Sequence, residues 1–222
     1  MSWSRLETSK SLLNINWTGA VRSIATQVAE RKAAIEEIAN GDPRPLLLLL
    51  ETEKTDKKVK SLLDAALKSE RFTLTSNWFH CVRMDRSVLE KSHPYHSLYA
   101  GQNPARLLLV SSDGSKLVRF LGTAQQKVTW AGIVSVLKKD YRKDPTAAVK
   151  AIERLLSKFD ALDDKQKELQ AQLARAAKKN QKDKLAVYKK KIAAVDKERT
   201  KVFQQKAKLE KLGLRSESKK AG

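Results

Sequence analysis

Residues 103–122, NPARLLLVSSDGSKLVRFLG, constrain this chain more than any other stretch. Pro104 fixes its own φ and offers no N–H, so it serves a following strand as a rigid entry. Leu107, Leu108, Leu109 and Val110 form an unbroken apolar run, short enough to be a strand buried on both faces. The next five residues, Ser111-Ser112-Asp113-Gly114-Ser115, are turn chemistry, and Asp-Gly supplies the positive φ values that a tight hairpin uses. The return run alternates, Leu117, Arg119 and Leu121 against Val118 and Phe120. The pattern predicts a β-hairpin with strands over 106–110 and 116–121.

Upstream, Val21, Ile24, Ala25, Val28, Ile35, Ile38 and Ala39 predict an amphipathic helix over 18–39, stopped by Asn40-Gly41 and Pro43. Residues 1–16 read as loosely ordered. Five consecutive leucines, 46–50, follow Pro43 and Pro45; their length and the flanking prolines favour a short central strand. Thr55 or Asp56 can cap a helix with apolar positions Val59, Leu62, Leu63, Ala66 and Leu67. Residues 78–84, aromatic and branched, read as strand. Strand, helix, strand makes a βαβ unit with parallel strands and a right-handed crossover. The expected sheet order is 78–84, 46–50, 106–110, 116–121. A loop or short helix fills 85–102, and a helix over 125–139 turns Trp130, Ile133, Val134 and Leu137 inward.

From about Thr146 the composition shifts to Ala, Lys, Gln, Leu and Glu, with no Gly or Pro before Gly213. Leu155, Phe159, Leu162, Leu169, Leu173 and Ala176 keep a three-four spacing with Gln166 as a polar gap. Leu185, Tyr188, Ile192, Val195, Val202 and Leu209 resume it, with Arg199 and Lys206 as gaps. Two coiled-coil arms folded back near Asn180-Gln181 fit this better than one rod, though a continuous helix stays open. The expected organisation is an N-terminal tail and helix (1–41), an α/β domain (42–145) and a basic helical coiled-coil arm (146–222).

The order helix, β, α, β, loop, Pro, β, Asp-Gly turn, β, α resembles the thioredoxin fold over about residues 42–141. Its best marker is the loop Asn103-Pro104 before a buried strand. The resemblance implies a central mixed sheet flanked by helices, and a cis Pro104 facing the site where that family holds its redox dithiol. Here the corresponding window, 51–58, contains no cysteine and no serine. Thiol exchange needs a thiolate and a resolving partner, so dithiol chemistry by the monomer is excluded. The one cysteine, Cys81, falls inside the second strand and reads as a buried, inert thiol. It allows neither an intramolecular disulfide nor a Cys-based zinc cage.

Other chemistry is sparse. His93 and His96, with His80 some way off, lack a carboxylate or thiolate close by and read as surface loop residues, not metal ligands. No Gly-rich phosphate loop, HExxH, GxSxG or kinase pattern occurs. No catalytic residue, cofactor or metal is therefore expected, and the protein reads as a non-enzyme.

Charge points to partners. The formal net charge is +20, and residues 151–222 carry 21 basic and 10 acidic side chains. The densest cluster is Arg175, Lys178, Lys179, Lys182, Lys184, Lys189, Lys190 and Lys191, interrupted by Asp183. It is the candidate partner-binding surface. The leading expectation is a thioredoxin-like scaffold protein whose arm mediates self-association or protein docking. The alternative is RNA or DNA held through backbone contacts alone, since Tyr188 is the cluster's one aromatic. No apolar run approaches the roughly 18–20 residues that span a bilayer. The N-terminus lacks the layout of a secretory signal. Its serines with Arg5, Lys10 and Arg22 leave a transit segment open; the expected location is cytoplasmic.

Overall fold

A computed structural model describes residues 30–51, 62–101 and 103–216. They form two compact units, one of residues 30–146 with 213–216 and one of Ala147–Leu212.

The first unit is a four-stranded mixed sheet with helices on both faces. Its elements are α1 (Arg31–Ala39), β1 (Leu46–Leu50), α2 (Leu62–Leu67), α3 (Glu70–Ser76), β2 (His80–Met84), a 3-10 turn (Arg86–Leu89), α4 (His96–Tyr99), β3 (Leu107–Val110), β4 (Leu117–Phe120) and α5 (Gln126–Asp140). The strand order is β2-β1-β3-β4, as the patterning predicts. β1 pairs parallel with β2, and antiparallel with β3, which pairs antiparallel with β4. The leucine run is central because its backbone hydrogen-bonds on both edges while its side chains are buried on both faces. Leu46, Leu48 and Leu50 join Val82, Met84, Leu108 and Val110 in one core with Ile35 and Ile38 of α1 and Leu98 and Tyr99 of α4. The alternate set, Leu47, Cys81, Leu107 and Leu109, is buried on the opposite face, where α5 packs on β3 and β4.

α1 ends as its sequence says, with Asn40 (φ 45°) and Gly41 (φ 78°) in the left-handed region. The rest of the predicted 18–39 helix, the caps Thr55 and Asp56, Val59 and nearly all of the 51–58 window lie outside the described residues.

Several expectations are corrected. A second helix, α3, precedes β2, capped by Ser69, whose side chain accepts from the Phe72 N–H. Its branched Thr73 and Thr75 disguise it in sequence, because β-branched residues favour strands. Trp78 and Phe79 accordingly belong to a turn, their N–H groups donating to Thr75 and Ser76, and β2 begins only at His80. In the β3–β4 loop only Gly114 (φ 70°) has positive φ; Asp113 does not. Asp113 works through its carboxylate instead, accepting from the Ser111 hydroxyl (2.6 Å) and the Ser115 N–H (3.1 Å). β4 ends at Phe120, so Leu121 falls just past the strand and is exposed. On α5, Trp130 and Val134 are only half-buried, while Thr129 and Val136 are fully buried. The resemblance implies a cis peptide bond before Pro104, but no described peptide bond is cis, and Asn103 and Pro104 are both exposed.

The second unit is a pair of long helices, α6 (Pro145–Lys178) and α7 (Lys182–Leu209). Pro145 suits a first helical position, and Asp144 accepts the Thr146 N–H at 3.1 Å. After α7 the chain returns to the sheet unit: Leu214 bridges Tyr141, and the Arg215 N–H donates to the Asp140 carbonyl.

Candidate functional site

The helical pair is built by its three-four apolar stripe. Leu162, Leu169 and Ala176 on α6 and Val195 and Val202 on α7 are buried, all at stripe positions. The chain reverses between the helices at Asn180, which takes φ 52°. Asparagine tolerates the left-handed region better than other residues with a Cβ. Contacts across the two helices show that they run antiparallel: Lys158 meets Glu198 at 2.8 Å, while Gln166, further along α6, meets Asp196, further back on α7, at 2.9 Å. Asp163 meets Arg199 at 3.0 Å.

The polar gaps in the stripe are not defects. Arg199 Nη1 donates to Gln166 Oε1 at 2.6 Å, so a gap on one helix is matched by a gap on the other. Gln166 Nε2 in turn donates to Asp196 Oδ1 at 2.9 Å. With Asp163, whose side chain is 8% exposed, these four residues form a clasp in the seam. The third gap, Lys206, is buried and pairs with Glu210, the residue that caps the C-terminal end of α7. The sequence spacing reveals the gaps; their pairing appears only once the helices are aligned.

Charge is distributed unevenly along this hairpin. Residues 147–169 hold five basic and five acidic side chains, whereas residues 170–194 hold eight basic and one acidic. Outside the distal half, Asp163 pairs with Arg199 and Glu198 with Lys158. The Lys158 ammonium beside Glu198 holds that carboxyl below its usual range. By contrast, Arg175, Lys178, Lys179, Lys182, Lys184, Lys189, Lys190 and Lys191 are all exposed. None forms an ion pair with a described residue; Lys191 lies over the Tyr188 ring at 6.0 Å. The structure therefore gathers every residue of the predicted basic cluster at the closed end of one hairpin.

Comparison with protein-family models, curated proteins and solved structures finds no match for this chain.

The sheet unit holds the remaining candidates. The Cys81 sulfur sits 3.4 Å from the Ser76 carbonyl oxygen, and burial pushes its thiol up to about 12. A thiol so placed supplies almost no thiolate at neutral pH. His93 and His96 are half-buried, not surface residues; His93 Nδ1 accepts the Tyr95 N–H at 3.1 Å. His80 lies apart, its Nδ1 3.0 Å from Asp42 Oδ2. Among the described residues no three acidic, histidine or cysteine side chains converge as metal ligands. Asp42 also accepts three side-chain bonds from Arg44, two from Nε and one from Nη2. Burial would raise its carboxyl, but those bonds outweigh it and hold it below the usual range. A cleft of about 270 Å³ opens between α3 and α5, where Arg71 lies over Trp130 at 5.6 Å. Sequence reasoning misses both this cleft and the Asp42 cluster, since each joins elements distant in the chain. No helix of the described residues is long and apolar enough to cross a membrane.

Proposed function

We propose that this protein is a non-catalytic scaffold. In this reading the sheet unit is a thioredoxin-like domain that lacks a redox centre. The helical pair is an antiparallel coiled coil that mediates self-association or docks a protein partner. The observation that carries the reading is the seam clasp Asp163, Gln166, Asp196 and Arg199. A polar cluster inside an apolar seam fixes register at a cost in stability, which suits an element whose surface must be presented in one alignment. The sheet order and the parallel β1–β2 crossover support the thioredoxin-like assignment, while the trans bond before Pro104 departs from that family's pattern. The buried, unionised Cys81 supports a domain without thiol chemistry.

Immobilised full-length protein is expected to retain a protein partner, or a second copy of itself, after nuclease digestion. Replacing Leu162, Leu169, Ile192 and Val195 together with Ser opens the seam and should release it. Retention of nothing by the intact chain, or equal retention by the seam variant, overturns the reading.

A further inference from the structure

We infer that the closed end of the α6–α7 hairpin binds the phosphate backbone of nucleic acid without reading its sequence. The inference rests on the arm being the docking element and names the partner for one end of it. Three observations lead there. First, the eight basic side chains of residues 170–194 are exposed, and none is neutralised by a described residue, although the same hairpin pairs its acids elsewhere.

Second, helix electrostatics do not account for them. Lys178 and Lys179 at the C-terminal end of α6 complement the negative end of its dipole, which is the bland explanation for a terminal lysine. Lys182 and Lys184 lie in the first turn of α7, at the positive end, where a cation is unfavourable. Asp183 is that turn's one acidic residue, and Gln181 gives it no side-chain cap. Two helix ends of opposite polarity thus carry the same charge, an arrangement that an external anion relieves.

Third, the surface is polar where a membrane-binding surface is apolar. Val187 is the one large exposed apolar side chain in residues 170–194, whereas interfacial helices bury Trp, Phe and Leu in lipid. With Tyr188 as its one aromatic, the tip offers little base stacking. What remains is a compact array of lysines. A duplex presents about one charge per 1.7 Å of axis, so an array spanning about 15 Å can meet several phosphates at once.

The test titrates labelled duplex RNA and duplex DNA of mixed sequence with the full chain across a range of salt concentrations. Both duplexes should bind, with log affinity falling against log salt at a slope of about −3 to −5. The variant with Lys178→Gln, Lys179→Gln, Lys182→Gln and Lys184→Gln should lose about a hundred-fold or more in affinity at low salt and flatten the slope. Its helical circular dichroism should be unchanged, because Gln propagates helix about as well as Lys. Lys165→Gln with Lys167→Gln, exposed on the charge-balanced half, should change neither quantity. Absence of salt-dependent binding by the intact chain, or equal loss in both variants, overturns the inference. So does tighter binding to vesicles of anionic lipid, or displacement of the duplex by polyglutamate at equal charge. If a nuclease-resistant protein partner is still captured in that case, the scaffold reading survives and only the nucleic-acid inference falls.

Discussion

Asp113 and Asp140 serve one junction and titrate in opposite directions. Asp140, at the end of α5, accepts the Ser112 hydroxyl (2.7 Å) and the Ser112 N–H, while Lys139 beside it reaches Asp113 at 3.1 Å. Burial raises the Asp140 carboxyl more than Ser112 lowers it. Burial raises Asp113 too, but hydrogen bonds from Ser111, Ser115 and Lys139 prevail and hold it well below the usual range. A lowered carboxyl contributes stability that is present above the unfolded value and lost as pH falls below it. Asp140 has the opposite sign, contributing below the unfolded value and losing that contribution as pH rises through its folded value. Thermal melting of the wild type should therefore fall below about pH 4. Asp113→Asn should flatten that fall and lower the melting temperature at pH 7; an unchanged acid limb would show that the junction is not titrating. Gly132 is a second residue set by packing. A Cβ there would stand 2.3 Å from the Phe120 ring, so α5 lies directly on β4. Alanine usually favours a helix by about 1 kcal/mol over glycine. Here the overlap with a buried ring should outweigh that gain, and Gly132→Ala should destabilise by about 1–2 kcal/mol in urea titration.

At the scale of elements, the arm tests whether polar gaps align helices. Asp163 is nearly buried, so Arg199→Ala leaves a carboxylate without its counter-charge. The expected cost is about 3 kcal/mol, read as loss of helical circular dichroism at lower denaturant. Replacing Asp163, Gln166 and Arg199 together with Leu should restore or exceed wild-type stability while loosening register, measurable as broadened distances between spin labels on the two helices. A triple variant less stable than Arg199→Ala would contradict the clasp. In the sheet unit, Leu48 is fully buried in the central strand. Leu48→Ala should cost about 2–5 kcal/mol, since the strand is packed on both sides and cannot collapse into the cavity.

For the molecule as a whole, the lone thiol is inert by placement. Cys81 should react with Ellman's reagent only on unfolding, and the native protein should reduce no insulin disulfide. Rapid native labelling at neutral pH would contradict the buried, raised thiol. The fold divides where composition divides, after Thr146, but residues 213–216 rejoin the sheet unit through Tyr141 and Asp140.

Periodicity and backbone restriction made much of this readable. Prolines beside five leucines leave little but a central strand, Asn40-Gly41 leaves little but a helix stop, and the stripe of the arm names its own seam. These signals are local, because a residue's own φ/ψ limits and its neighbours' spacing carry them. Packing decided the rest. The α3 helix follows from a cap that outweighs two threonines, and Trp130 and Val134 yield the interior of α5 to Thr129 and Val136. The clasp, the Asp42–Arg44–His80 cluster and the Asp140 junction join residues far apart in the chain. Their partners are chosen by helix register and strand order, which no single stretch encodes.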